Sequence, residues 1–249
     1  MAASVGKITK ILNCFTTETP ALRNKDIAEM LNLHPSSVHH VISSLCKEGI
    51  LVQDTKKMYR LGWRILEWSN NVMYHQDIND ALPLVYDLIR KYKCVVHIGM
   101  YDAGTVRFVL KVSAEDAVEL PTTFLGAKKP AYSTSTGKVL LAYNPSFVQP
   151  TVARGLVRES QNTITSTYNL RKELSTIKKN GYALSDNEND TQTFAIAAPI
   201  TAYSGQTVAA LNMVGSIDYM NSINQRQAIQ DVVRIAKLIS KHVGYIENE

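Results

Sequence analysis

The stretch Leu33-His34-Pro35-Ser36-Ser37-Val38-His39-His40-Val41-Ile42, running on to Gly49, constrains the fold of this chain more than any other. Pro35 has no backbone N–H and a preset φ, so it is cheap only in the first turn of a helix, and the spacing after it is helical. Val38, Val41, Ile42 and Leu45 recur at three- and four-residue steps and form one apolar stripe. Ser36, His39, His40, Ser43, Ser44 and Lys47 point away from it. That outer face is polar yet almost uncharged. Short hydroxyl and imidazole groups in place of Glu and Lys suit a helix that enters a groove and touches base edges and phosphates.

The flanking segments strengthen this reading. Asn24-Lys25-Asp26-Ile27-Ala28-Glu29-Met30-Leu31 reads as a short amphipathic helix capped by Asn24, and only Asn32-Leu33-His34 separate it from the next. The pattern is helix, tight turn, helix. Gly49 can close the second helix in a left-handed conformation. After it, Ile50 to Gln53 and Met58 to Leu61 flank the polar turn Asp54-Thr55-Lys56-Lys57, a hairpin that forms a wing with two lysines at its tip. Residues 1–75 carry nine Lys or Arg against six Asp or Glu, an excess too small to prove nucleic-acid binding by itself. The order of elements carries the reading. Double-stranded DNA is the expected partner, contacted by Asn24, Ser36, Ser37, His39, His40, Ser43, Ser44, Lys47, Lys56, Lys57 and Arg60.

A chain of 249 residues with 45% hydrophobic and 20% charged residues fits one large or two modest globular domains. The formal charge of +5 permits an anionic partner without requiring one. Cys14, Cys46 and Cys94 lie far apart, with neither paired nor metal-ligand spacing, which fits buried small hydrophobes in a reducing cytoplasm. No apolar run approaches a membrane span of roughly 18 residues, and the N-terminus lacks a charged leader before an apolar core. A cytoplasmic protein without a membrane partner is expected.

Taken in order, Val5, Ile8, Ile11, Leu12 and Phe15 form an apolar helical face that covers the helix-turn-helix pair. Residues 1–61 are expected to form a winged helix-turn-helix domain of three helices and two strands. Residues 62–79 then read as a linker helix, with Trp63, Leu66, Asn70 and Met73 on one side and Ile65, Trp68 and Val72 on another. A helix apolar on two sides either lies wholly within its own fold or buries one side against a second chain. A dimer would present two recognition helices to half-sites of a pseudo-palindromic operator.

Residues 80–249 read as a separate α+β domain. Leu82 to Lys93 is expected to be helical, and Cys94 to Tyr101 and Thr105 to Val112 to be strands about the Asp102-Ala103-Gly104 turn. Val118 to Phe124 reads as a third strand, followed by a Gly-containing loop. Helices follow over about Thr134 to Tyr143, Ser146 to Gly155 and Leu170 to Asn180, the last stopped by Gly181. Strands near Tyr182 to Asn187, Phe194 to Thr201 and Thr207 to Gly215 complete a sheet of about six. The final helix carries Ile229, Val232, Ala236, Ile239, Val243 and Ile246 as a packing stripe.

Gly126-Ala127-Lys128-Lys129-Pro130-Ala131-Tyr132-Ser133-Thr134-Ser135-Thr136-Gly137-Lys138-Val139-Leu140-Leu141-Ala142 is followed by Asn162-Thr163-Ile164-Thr165, Gly181-Tyr182-Ala183 and Ala197-Ala198-Pro199. With these blocks the chain resembles the IclR family of bacterial transcriptional regulators over nearly its whole length. The resemblance implies an α+β chain: an N-terminal winged helix-turn-helix domain, a linker helix, and a C-terminal GAF-like effector domain with an antiparallel sheet of about six strands. It implies a dimeric or tetrameric repressor or activator of a catabolic operon, governed by a small effector, a carboxylate or aromatic acid. No cofactor is implied.

Carried over by position, the family's effector pocket falls on Leu120 for apolar packing and on Gly126 and Ala127, whose backbone N–H groups would hold a carboxylate, with Ser185, Ala195, Asn212 and Val214 opposite. The sequence departs from the family here. Ser185 replaces an acidic residue, Ala195 a Cys, and Asn212 and Val214 small hydroxyl residues. Losing the acid and gaining an amide is expected to favour an anionic or amide-accepting ligand over a cationic one. In the recognition helix His40 stands where the family has Arg, so DNA binding is expected to weaken as pH rises through about 6 to 7.5.

Catalysis is not expected. His97 and His242 are isolated, and no Gly-x-Ser-x-Gly elbow, phosphate loop, His-x-x-x-His or Cys-x-x-Cys occurs. The hydroxyls between Ser133 and Lys138 suit helix capping, and Glu188-Asn189-Asp190 suits a solvated turn rather than a calcium loop. The alternative to an effector domain is a C-terminal domain that only oligomerises.

Overall fold

The computed structural model describes residues 5–16, 19–74, 78–114, 124–189 and 192–244, leaving aside the side chains of 70–81. The chain forms two compact units, Met1–Gln76 and Asp77–Glu249.

In the first unit α1 (Val5–Leu12), α2 (Asn24–Leu31) and α3 (Pro35–Lys47) precede the hairpin β1 (Leu51–Gln53) and β2 (Tyr59–Leu61), and α4 (Arg64–Tyr74) follows. The expected stripe of α3 is the core. Val38, Val41, Ile42 and Leu45 are buried with Ile11, Phe15, Ile27, Leu51 and Tyr59, whereas Val5, expected on the covered face of α1, is 78% exposed. Leu22 exchanges backbone hydrogen bonds with Tyr59, adding a bridge to the wing. Gly49 turns the chain out of α3 at φ 68°. Its carbonyl oxygen lies 2.1 Å from where a Cβ on Gly62 would sit, so the two ends of the wing meet where only glycine fits.

Asn24 does not cap α2. It is the first helical residue, Arg23 holds the cap position in extended conformation, and the Asp26 carboxylate accepts from the Arg23 N–H at 2.8 Å. The Asn24 amide instead donates to the Pro35 carbonyl at 3.1 Å, pinning the start of α2 to that of α3.

The second unit is built on an antiparallel sheet of six described strands, ordered β5-β4-β3-β8-β7-β6. These are β3 (Val95–Asp102), β4 (Thr105–Ser113), β5 (Lys128–Pro130), β6 (Ala183–Asp186), β7 (Thr193–Thr201) and β8 (Thr207–Ser216). The sheet has the expected size, with one difference in its make-up. The strand expected over Val118 to Phe124 lies outside the described residues except for Phe124, which is not in a strand, and edge strand β5 falls in the segment read as a loop. β5 is only three residues long and ends at Pro130, so it offers no alternation to read.

One sheet face is covered by α5 (Ile78–Tyr92) and α10 (Gln225–His242), joined where Asp231 accepts from Lys91 Nζ at 2.6 Å and Tyr92 Oη at 2.7 Å. Burial alone would raise the Asp231 pKa, but these two donors outweigh it and hold it below the usual carboxylate value. α6 (Ser135–Tyr143) lies on the other face, with α8 (Thr167–Asn180) packed against it and α7 (Val148–Ala153) beside it. Thr134 caps α6 as expected, accepting from the Gly137 N–H at 3.1 Å. α8 starts three residues before the expected Leu170, capped by Ser166, and ends at Gly181. The short helix α9 (Ile217–Ser222) has no counterpart in the sequence reading.

Candidate nucleic-acid interface and effector face

On α3 the residues Ser36, His39, His40, Ser44 and Lys47 are exposed, while Ser37 and Ser43 are half-buried. Pro35 opens the helix and the four buried aliphatics fix its rotation, so this row faces outward for a packing reason. Ser37 is engaged by Lys7 of α1, and Ser36 bonds to His34 at 2.8 Å. Asn24 turns inward to Pro35, so of the expected contact residues it is the one the structure occupies with joining the two helices.

The wing presents Lys56 and Lys57 at its tip, both exposed. Asp54 shapes that tip by accepting from the N–H groups of Met58 and Lys56, each at 2.9 Å. Those bonds, Met58's first, with Arg60 at 3.4 Å, hold its carboxyl below the usual range. Arg60 is exposed and lies beside Asp54.

In the second unit, strand register brings four of the expected effector residues together. Ser185 pairs with Ala195, Ala195 with Val214, and Val214 with Val95, forming one cross-strand row. The next row is Ala197, Asn212, His97 and Lys111. Neighbours in a row share a face, and here it is the face that α6 covers. Asn212 Nδ2 donates to Thr136 Oγ1 of α6 at 3.0 Å, and Ser185 Oγ donates to the Ser133 carbonyl at 3.4 Å. Asn212 is 5% exposed, and its Oδ1 finds no partner among the described residues.

Gly126 and Ala127 do not act as expected. The Gly126 N–H donates to the Phe108 carbonyl at 2.7 Å and the Ala127 N–H to the Phe124 carbonyl at 2.9 Å. Both amides are therefore committed within the chain and leave no donor for a carboxylate. Gly126 is required by its φ of 85°, since nothing stands within 4 Å of a Cβ there. Leu120 lies outside the described residues.

Several residues of this region escaped the sequence reading. His97, read as isolated, is 2% exposed, aligns with Asn212 across β3 and β8, and packs its ring 4.8 Å from that of Phe108. Burial, reinforced by the positive charge of Lys111, pushes its pKa down to about 3, so the imidazole is neutral. Glu188, read as part of a solvated turn, is buried and meets Lys138 Nζ at 2.5 Å, while Glu173 reaches the same ammonium at 3.1 Å. Burial raises the Glu188 pKa against the pull of Lys138. Thr163 Oγ1 donates to the Glu188 carbonyl at 2.6 Å, and Asn189 Nδ2 to Ser133 Oγ at 3.0 Å, tying the segment after β6 to the start of α6. Cys94 is buried with its thiol pushed up to about 12, a packing residue rather than a nucleophile.

Two family models match this chain. Residues 4–55 match the IclR helix-turn-helix domain, and residues 71–241 match the C-terminal domain of the bacterial transcriptional regulator IclR. The chain belongs to the IclR family. Among similar IclR proteins, the HTH-type transcriptional regulator KipR of Bacillus subtilis is 27% identical over 248 residues, 97% of each chain. The glycerol operon regulatory protein of Streptomyces coelicolor is 28% identical over 223 residues, covering 88% of this chain and 87% of that one. The fold is that of an IclR homolog from Microbacterium hydrocarbonoxydans crystallised with 4-hydroxybenzoate, at a TM-score of 0.86 and 22% identity, covering 97% of this chain and 99% of that one. The Thermotoga maritima IclR aligns at a TM-score of 0.74 and 24% identity, covering 97% of this chain and 99% of the other. This chain is thus of a family of helix-turn-helix transcriptional regulators. No helix among the described residues is long and apolar enough to cross a membrane.

Proposed function

We propose that this IclR-family protein represses a catabolic operon, and that a small organic acid bound on the α6 face of its second domain sets its affinity for a pseudo-palindromic operator. The observation that carries the effector half is Asn212, a buried amide whose carbonyl oxygen lacks a partner on the face carrying the family's effector positions. A buried acceptor left unsatisfied costs about 1–3 kcal/mol, which a ligand donor would recover. The 4-hydroxybenzoate held by the related Microbacterium protein supports an aromatic acid as the ligand class.

DNA contact is assigned to Ser36, Ser37, His39, His40, Ser43, Ser44 and Lys47 on α3, with Lys56, Lys57 and Arg60 on the wing. Lysines neutralise phosphates while α3 side chains read base edges. The domain boundaries we assign are 1–61 for the DNA-binding domain, 62–79 for the linker and 80–249 for the effector and oligomerisation domain. Trp63, just before α4, and Leu66 in its first turn are 79% and 52% exposed and support a second copy of the chain as their cover. Two recognition helices then meet half-sites about one helical turn apart. Effector binding acts by shifting the population between arrangements that fit the operator differently.

The committed amides of Gly126 and Ala127 favour a second reading, in which the C-terminal domain only oligomerises. A fluorescence-anisotropy titration on the protein's own upstream DNA, with and without a panel of small carboxylates and aromatic acids, separates the two. Specific binding weakened by one compound supports the effector reading. Specific binding unmoved by every compound supports the second.

A further inference from the structure

On the effector reading, on which this inference rests, the polar contacts offered by the α6 face decide what kind of group it accepts. Asn212 is held in place from the helix side, because its amide nitrogen donates to Thr136 Oγ1 at 3.0 Å. What remains is the second N–H of that anchored nitrogen and Oδ1, an acceptor that is buried and without a partner among the described residues. The acceptor left without a partner asks for a donor, so a ligand group set against Oδ1 is a donor and not a carboxylate, contrary to the sequence expectation.

His97 stands beside it. The two residues are register partners on β3 and β8, and the imidazole is buried against Phe108. Lys111, its register partner on β4, adds positive charge next to the ring and opposes a second one. The imidazole stays uncharged at neutral pH and cannot act as counter-ion to an anion. Around the pair the same rows present Ala195, Ala197, Val214 and Val95. These four side chains are aliphatic and add no charge to the wall. A neutral hydroxyl or amide N–H satisfies Oδ1 without placing a charge in the wall.

We propose that His97 and Asn212 together are specificity-determining residues of the effector site, forming an uncharged polar pair that selects ligands carrying a neutral hydroxyl or N–H donor at this position over ligands carrying a carboxylate or hydrogen there. His97 is buried on the β3 side of Asn212 and shapes its surroundings. It is therefore expected to act on selectivity more than on the presence of binding.

The test uses two matched sets, 4-hydroxybenzoate, benzoate and terephthalate, and 3-hydroxypropanoate, propanoate and succinate, with dissociation constants taken by isothermal calorimetry on the full chain. Wild type is expected to bind the hydroxyl member of at least one set tenfold or more tighter than its hydrogen or carboxylate counterpart. In Asn212→Leu and His97→Phe that ratio falls to threefold or less with binding of the hydrogen counterpart retained, and His97→Gln, which keeps a neutral hydrogen-bonding side chain, restores it. Circular dichroism and a cooperative melt select variants that fold. Should His97→Phe fail to fold, the Asn212→Leu ratio decides. Equal affinity across a set in wild type, or an unchanged ratio in a folded variant, overturns the proposal while leaving the effector reading intact. Absence of binding by all six compounds overturns the aromatic or small-acid effector reading, and this proposal with it.

Discussion

Lys138 Nζ lies 2.5 Å from Glu188 Oε1, and the Lys138 side chain is 1% exposed. α6 thus carries a charge into an interior that includes Val139, Leu140, Leu141 and Leu170, and the segment after β6, with Glu173 of α8, supplies its partners. Thr163 from the Asn-Thr-Ile-Thr block holds the same segment by its backbone. A distant family motif and the start of α6 are therefore parts of one buried joint.

Removing Lys138 strands the buried Glu188 carboxyl, whereas removing Glu188 leaves the ammonium its contact with Glu173 at 3.1 Å. Lys138→Met is expected to cost about 3–5 kcal/mol in urea unfolding of the second unit's transition and Glu188→Leu less, because Glu173 still reaches the ammonium, whereas the double substitution costs well under the sum. Additive single losses would contradict a direct pair.

His97 makes stability depend on pH with a definite sign. Its folded pKa, down to about 3, lies below the unfolded value of about 6.5, so the unfolded chain takes up a proton that the folded chain refuses. Stability is full above about pH 7 and falls as pH drops through about 6.5 towards 3. Between pH 7 and pH 5 the loss is about 2 kcal/mol relative to His97→Gln. Chemical denaturation of both proteins at the two pH values measures it, and parallel curves would contradict the assignment.

Two glycines are expected to respond differently to alanine. Gly62→Ala drives a Cβ to 2.1 Å from the Gly49 carbonyl, a backbone collision expected to cost at least about 2 kcal/mol and to weaken DNA binding through the displaced wing. Gly126→Ala meets open space and bears only the left-handed penalty, about 1–2 kcal/mol. Thermal unfolding ranks the pair.

The first unit was legible because its constraints are local. Pro35, the three- and four-residue stripe of α3 and the turn between β1 and β2 each act within a dozen residues. The sheet was legible where alternation runs long, as in β4, and not in the three residues of β5. The candidate effector face was legible by position but not by chemistry. Whether Asn212 offers a donor or an acceptor depends on Thr136, 76 residues away, and whether the Gly126 amide is available depends on the Phe108 carbonyl. Lys138 sits in an apolar run, yet pattern alone does not separate a buried lysine from one whose head reaches water. The depth of Glu188 follows only once its partner is placed.

Anisotropy on the upstream DNA and on a shuffled sequence of equal length, at two salt concentrations, tests most directly that α3 reads DNA and the wing holds it. Wild type is predicted to prefer its own sequence by at least about a thousandfold. Lys56→Ala/Lys57→Ala should weaken binding to both sequences and flatten the salt slope by about 1.8, the loss of two phosphate contacts. Substituting Ser36, His39 and His40 together by Ala should instead reduce the preference with a smaller change in slope. Equal affinity of the folded wild type for both sequences, or a preference that survives the loss of all three α3 side chains, would contradict the account.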